Sequence, residues 1–345
     1  MSIRQVVFPD GGNRPLVFYL AAEEYVSRHL DTLLGDVPAG GREALFIWQV
    51  EPTVIFGRNQ VMEAEVNMDY CREHGVRLFR RKSGGGCVYA DMGNIMVSYI
   101  TDHTDVEGVF GLYLDRLAAF LRSLGLDASK SGRNDVLVGG RKVSGNAFFR
   151  QQRSSIVHGT MLFDSDFAAL EAAITPSAAK ISSKGVSSVR SHVTNLKQEL
   201  LSVGNVKYSD IEVFKSSMLE YFCSGGEIRL GPDEMSAIGQ IEHGYHDPDF
   251  ISGRRKACKM EFRGKIPQSG EISVCMDLEG GKIGSVSLQG DFFELFPGAA
   301  ARLEDGMTGL EFERGTVMSA LENLSPEKLV MNLSAGDLCN ILFKQ

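Results

Sequence analysis

The chain has 345 residues and a net charge of −8, with 43% hydrophobic and 23% charged residues. That composition is globular and excludes wholesale disorder, and the acidic balance argues against a general nucleic-acid binder. No apolar run approaches the roughly 18 residues of a membrane span, and the N-terminus MSIRQVVFPDGG lacks the apolar region of a secretory leader.

In chain order, the apolar spacing predicts an opening helix over Leu16–Leu34, strands at Ala44–Val50 and Thr53–Phe56, a helix over Val61–His74 and a strand at Val76–Arg80. Strands are expected at Cys87–Ala90 and Asn94–Ile100. The clearest helix runs from about Val106 to Leu124, its apolar residues recurring at three- and four-residue steps. Val136–Val138 and Lys142–Ser144 read as a hairpin around Gly139-Gly140, followed by a strand at Ile156–Phe163. A second unit begins after the turn-rich stretch His243–Asp249, with a hairpin from Glu271–Leu278 and Lys282–Leu288 and helices near 313–323 and 334–343. The order is α+β with mostly antiparallel neighbours, not the alternation of a doubly wound sheet. Six cysteines, at 71, 87, 223, 258, 275 and 339, form no C-x-x-C pair and fit reduced thiols in a cytoplasmic protein.

Glycine is the unusual count, at 38 residues against an average of roughly 7%. Its densest cluster is Arg80-Arg81-Lys82-Ser83-Gly84-Gly85-Gly86-Cys87-Val88-Tyr89. Three glycines between strands let backbone N–H groups approach an anion, and three adjacent cations would neutralise it; the same residues also fit a flexible hairpin with exposed basic side chains. The loop matches neither G-x-x-x-x-G-K-[ST] nor G-x-G-x-x-G. In Gly132-Arg133-Asn134-Asp135, Asp135 can hold a cation or a ribose hydroxyl. In Arg141-Lys142-Val143-Ser144-Gly145, Lys142 can bridge a carboxylate and a phosphate as a point charge; a solvated surface hairpin accounts for both segments equally simply. His158, before Gly159, either lines a pocket or is a hydrogen-bonded core residue. The stretch Pro176–Gln198 carries Lys180, Lys184, Arg190 and Lys197 without an acid, which suits a loop closing over an anion or a basic linker. Metal-ligand spacing is weak, and no G-x-S-x-G elbow occurs.

Together these segments resemble the lipoate–protein ligase A family. The likeness rests on RR-x-SGGG-x-VY-x-D-x-GN (Arg80–Asn94), GRND with RKVSG-x-A (Gly132–Ala147), HGT (His158–Thr160) and SKG-x-x-SVRS-x-VTNL (Ser183–Leu196), with LAAEEY (Leu20–Tyr25) and LFIWQVEPTVIFGRNQ (Leu45–Gln60) in support. It implies a biotin/lipoate ligase-type mixed sheet with flanking helices over residues 1–248, and a small α+β accessory domain over 249–345. It further implies two ATP-dependent steps with Mg2+: lipoate carboxylate attacks the α-phosphate to give lipoyl-AMP, and a lysine of an apo lipoyl domain then takes the acyl group. The acceptors would be E2 subunits of 2-oxoacid dehydrogenases or the glycine-cleavage H protein, and the enzyme would act as a monomer. By the same resemblance, Lys142 and Asp135 are the catalytic pair. Arg81, Ser83, Gly84, Gly85, Gly86, Cys87, Val88, Tyr89, Asn134 and Lys142 hold the nucleotide, and Leu20, Trp48, Gly85, Lys142 and His158 meet the lipoyl group. Three departures stand out: Ala90 in place of a usual histidine, Tyr19 in place of asparagine, and no tryptophan at the start of the accessory domain. The rival readings are an octanoyl- or lipoyl-transferase working without ATP, which needs a cysteine nucleophile, a biotin ligase, whose GRGR-type loop is missing here, and a catalytically inert lipoate-binding protein.

Overall fold

The computed structural model describes residues 2–9, 11, 13–132, 134–174, 192–253 and 258–343. Among the described residues, eleven strands build the first unit: β1 (Arg4–Val7), β2 (Glu43–Trp48), β3 (Thr53–Phe56), β4 (Arg77–Arg80), β5 (Val88–Ala90), β6 (Asn94–Thr101), β7 (Ala128–Ser131), β8 (Asp135–Val138), β9 (Arg141–Arg150), β10 (Ser155–Leu162) and β11 (Glu227–Arg229). Eight of them form one sheet in the order β11-β1-β2-β6-β10-β9-β8-β7. The β11-β1-β2 edge is parallel and the rest antiparallel, so the sheet is mixed. A small sheet, β4-β3-β5, lies beside it, with β3 parallel to β4 and antiparallel to β5.

The central strands β6 and β10 are buried along all eight residues each, which a sheet covered on both faces requires. Period-two alternation then decides which core each side chain joins. Ile95, Val97 and Tyr99 pack with the helix Val106–Ser123 through Tyr113, Leu117 and Leu121. Met96 and Ile100 turn the other way, to the helix Leu16–Arg28, with Phe46, Trp48 and Ile156. Ser98 and His158, directly paired across β6 and β10, share the parity of that second face. Two polar groups are thus placed under a helix that carries buried Glu23 and Glu24.

The opening helix ends at Arg28, earlier than its pattern suggests, with a short turn of helix at Leu30–Leu33 after a break at His29; the His29 Nδ1 lies 2.8 Å from the Tyr25 carbonyl. The expected helix over Val61–His74 is two short ones, Met62–Glu65 and Met68–Glu73, because Val66 and Asn67 are extended and Asn67 Oδ1 accepts from the Tyr70 N–H at 3.2 Å. Strands β1, β7 and β11, each three or four residues long with one buried side chain, are not among the elements expected from the sequence.

The C-terminal unit is an antiparallel meander of β12 (Met260–Ile266), β13 (Gly270–Glu279) and β14 (Lys282–Gly290). Helices Ala299–Met307, Arg314–Leu324 and Ala335–Leu342 pack on it through Leu303, Val317, Leu321 and Leu338, against Ile272, Val274 and Met276. The helix Ile211–Phe222 packs instead on the first unit, through Phe214 and Met218. The expectation of six reduced thiols is corrected at one place: Cys258 and Cys275 are joined, with Cα atoms 5.7 Å apart, because the β12–β13 pairing folds residues 17 positions apart against each other. The other four cysteines are free. Among the described residues, no helix is long and apolar enough to cross a membrane.

Candidate functional site

The glycine segment joins β4 to β5, and buried Arg81 organises it. The Arg81 guanidinium donates to the carbonyls of Gly84 (2.7 Å), Gly86 (2.8 Å) and Ile55 (3.1 Å) and to Ser83 Oγ (2.9 Å). Burial pulls its pKa down to about 10, so it stays charged at neutral pH. Arg80 is likewise buried and donates to the carbonyls of Gly57, Arg58 and Gln60 at 2.8–2.9 Å, and to those of Ile251 and Ser252 at 3.1 Å. Lys82 pairs with Glu24 at 2.7 Å and stands over the Tyr245 ring. The three adjacent cations therefore already have partners within the protein. Two of them satisfy loop carbonyls that would otherwise be buried without partners, and the third is spent on a buried carboxylate. Gly85 has φ +87°, and a Cβ there would sit 2.7 Å from the Phe293 ring, so both backbone and space demand glycine. Its N–H donates to the Phe292 carbonyl at 3.1 Å.

Between this loop and the sheet lies a narrow cavity of about 100 Å³. Leu20, Trp48, Ile55 and Met96 give it apolar walls, while Arg81, Asn134, Lys142 and His158 add polar groups. Of the residues expected from sequence, the cavity brings together Leu20, Trp48, Arg81, Gly85, Gly86, Cys87, Val88, Asn134, Lys142 and His158. The remaining four, Ser83, Gly84, Tyr89 and Asp135, are not among its lining residues. Ser83 Oγ is 2.7 Å from His158 Nε2, Asp135 Oδ1 is 2.7 Å from Lys142 Nζ, and the Gly84 carbonyl is held by Arg81. Tyr89 is buried with Val54 and Phe56, its hydroxyl pushed up to about 12 by desolvation. Ile55, Met96, Gly145, Asn146, Ala147, Gly159 and Thr160 also line the cavity and were not singled out as site residues. Gly145, Asn146, Ala147, Gly159 and Thr160 lie within the motif segments quoted above, and alternation about His158 also reaches Thr160.

Lys142 opens β9 and is about a third exposed. Its N–H donates to the His192 carbonyl (2.8 Å), and its carbonyl accepts from the Thr194 N–H (3.0 Å). The ammonium lies across Gly145, where a Cβ would come within 2.8 Å of Nζ. Asn134 and Asn146 exchange side-chain donors with each other's carbonyls at 2.7 and 3.0 Å, leaving Asn146 Oδ1 buried without a hydrogen-bond partner in a residue of the cavity wall. That oxygen packs against Gly159, where a Cβ would come within 1.9 Å of it. Cys87 also reaches the wall, but burial pushes its thiol up to about 12 despite Arg81 nearby; a thiolate nucleophile is not what this environment makes. Ala90 is fully buried on β5 in the core with Trp48 and Ile55, and Tyr19 stacks on Trp48 at 4.6 Å. Within the basic stretch, residues 176–191, including Lys180, Lys184 and Arg190, lie outside the described residues, as does Arg133; Lys197 pairs with Asp164 at 2.6 Å.

A family model described as the lipoyl protein ligase A/B catalytic domain matches residues 16–223, and one described as the bacterial lipoate protein ligase C-terminus matches 256–342. The chain is 31% identical over 332 residues to lipoate-protein ligase LplJ of Bacillus subtilis, covering 94% of this chain and 96% of that protein. Among solved structures it is similar in fold to P. falciparum LipL1 in complex with lipoate (TM-score 0.69, 19% identity, 93% of this chain and 94% of that one). It is similar in the same sense to lipoate-protein ligase A bound with ATP (TM-score 0.60, 24% identity, 73% and 99%). The chain belongs to the lipoyl protein ligase A/B family, as a lipoate–protein ligase that carries the bacterial C-terminal unit.

Proposed function

We propose that this ligase activates lipoate with ATP to lipoyl-AMP and passes the acyl group to a lysine of an apo lipoyl domain, on an E2 subunit or a glycine-cleavage H protein. One observation carries the reading: the Lys142 ammonium, laid across Gly145 beside Asp135, lines the same cavity as the apolar walls and the glycine loop. A carboxylate whose chain fills the slot meets a fixed cation there, and the loop backbone lies beside it for phosphate oxygens. Both steps crowd anionic oxygens, so preorganised donors and a held charge supply stabilisation where it develops. Asp135 fits a magnesium ion arriving on the nucleotide: Mg2+ is usually held by one or two carboxylates together with substrate phosphates, and the described residues contain no cluster of three or more acidic, histidine or cysteine ligands. Bound there, the ion would offset polyphosphate charge.

The catalytic domain of this reading spans 1–248 and the accessory domain 249–345, supported by the separate core of the β12–β14 meander. In this reading the enzyme acts as a monomer in the cytoplasm. The ATP-free transferase is disfavoured by the protonated state of Cys87. Lipoate-dependent ATP–pyrophosphate exchange tests the proposal. Exchange is expected, whereas acyl transfer from an octanoyl carrier protein without ATP would overturn it.

A further inference from the structure

Under the helix Leu16–Arg28 runs a buried chain of polar contacts that the proposed chemistry leaves unused. Trp48 Nε1 is 2.8 Å from Ser98 Oγ, Ser98 Oγ is 2.6 Å from Glu23 Oε1, and Glu23 Oε2 is 2.8 Å from His158 Nδ1. Beyond the imidazole, His158 Nε2 is 2.7 Å from Ser83 Oγ, and Ser83 Oγ is 2.9 Å from Arg81 Nε. Glu23, Ser98, His158 and Ser83 are all at least nine-tenths buried, so each hydrogen must be accounted for.

The direction of every bond follows from what each group can give. An indole nitrogen only donates, so Ser98 Oγ accepts from Trp48 and turns its own hydrogen to Glu23. A carboxylate only accepts, so His158 carries its hydrogen on Nδ1. On a ring that carries a single hydrogen, Nε2 then accepts from the Ser83 hydroxyl, whose oxygen accepts from Arg81. The chain begins on the apolar wall at Trp48 and ends at Arg81, which holds the carbonyls of Gly84 and Gly86. Both sets of bonds converge on one carboxylate that is not itself on the cavity wall.

We propose that Glu23 is a positioning residue: it holds His158 in the Nδ1–H tautomer and, through Ser98 and His158, couples the acyl slot at Trp48 to the glycine loop at Ser83. Filling the slot thereby favours the loop arrangement that receives the nucleotide. The inference rests on the reading of this cavity as the acyl slot and of the loop as the nucleotide cradle. An amide at position 23 cannot accept from both sides. If its NH2 turns to the imidazole, Nδ1 must accept and the ring hydrogen moves to Nε2; if it turns to Ser98, that oxygen accepts from both the amide and Trp48 and the hydroxyl hydrogen loses its acceptor.

The test uses the full-length enzyme and two readouts. Imidazole 15N shifts report the His158 tautomer without reference to activity, and calorimetry measures how far lipoate changes the affinity for a non-hydrolysable ATP analogue. Wild type is expected to show the Nδ1–H ring and at least about a five-fold mutual enhancement of the two ligands, the low end of ordinary coupling between sites. In Glu23→Gln that enhancement should fall to near one, with both ligands still binding singly. Ser83→Ala, which breaks the chain at its other end, should remove the enhancement while leaving the Nδ1–H tautomer in place. An Nε2–H ring in the wild type, or wild-type enhancement in both variants, would overturn the inference. Failure of wild type to bind lipoate at all would instead overturn the reading of the cavity on which it rests.

Discussion

Lys142 is fastened by its backbone to His192 and Thr194 and by its ammonium to Asp135, yet the side chain remains reachable from solvent. Removing it should therefore cost chemistry and not folding. Lys142→Ala is expected to slow lipoate-dependent pyrophosphate exchange by roughly a hundredfold or more, with a melting temperature close to wild type; wild-type exchange would take Lys142 out of the site. A subtler change tests its placement. In Gly145→Ala the new methyl meets Nζ at 2.8 Å, and because the ammonium is the free end of a flexible side chain, it shifts and the fold survives. The expected result is a drop in kcat/KM for adenylation of up to about a hundredfold, the cost a misplacement near 1 Å can bring, without loss of stability. Cys87 makes the opposite kind of prediction. With its thiol raised to about 12, thiolate appears only in strongly alkaline solution. The enzyme incubated at pH 8 with an acyl thioester should carry no adduct on Cys87 by mass spectrometry; a stoichiometric adduct would revive the transferase reading.

At the scale of elements, the glycine loop depends on a fork. Arg81 reaches the carbonyls of Gly84 and Gly86 from one nitrogen, and Ile55 and Ser83 from the other two. If charge were its contribution, Arg81→Lys would be mild. Because a lysine cannot span these acceptors, buried carbonyls lose partners at about 1–3 kcal/mol each. Arg81→Lys should therefore raise the KM for ATP several-fold and lower stability, measured by exchange kinetics and chemical denaturation; an unchanged KM would restore the charge-neutralising account. The SGGG run itself was legible in the sequence, since only glycine suits close backbone approach and positive φ. The duty of Arg80 was not, because the carbonyls it satisfies come from residues 57–60 and 251–252, distant along the chain, and Arg81 likewise reaches back to Ile55 besides its neighbours Gly84 and Gly86.

Across the whole molecule, Phe293 follows β14 of the C-terminal unit, yet it is buried in the core of the first, with the Phe148 ring centroid at 5.4 Å and that of Phe110 at 6.3 Å. The same segment seats Phe292 O against the Gly84–Gly85 backbone. Phe293→Ala should thus destabilise the catalytic unit by about 3–5 kcal/mol, the usual cost of deleting a buried ring. Calorimetry should register a lowered transition for that unit, and an unchanged transition would show that the ring does not hold the units together.

By itself the sequence determined the class of fold, the glycine loop, the Lys142 hairpin and the long helix at Val106–Ser123, because each is written in neighbouring residues: a period, a turn, a run of glycines. It also carried Trp48, Leu20 and His158 to the cavity, through motif likeness and not through geometry. Tertiary structure alone decided that Arg80, Arg81 and Lys82 are held by carbonyls and a carboxylate, that Cys258 meets Cys275, and that Glu23 contacts both Ser98 and His158. The physical reason is the same in each case. A buried polar group must find a partner wherever one lies in space, and that partner is set by strand order and parity, which no local stretch of sequence contains.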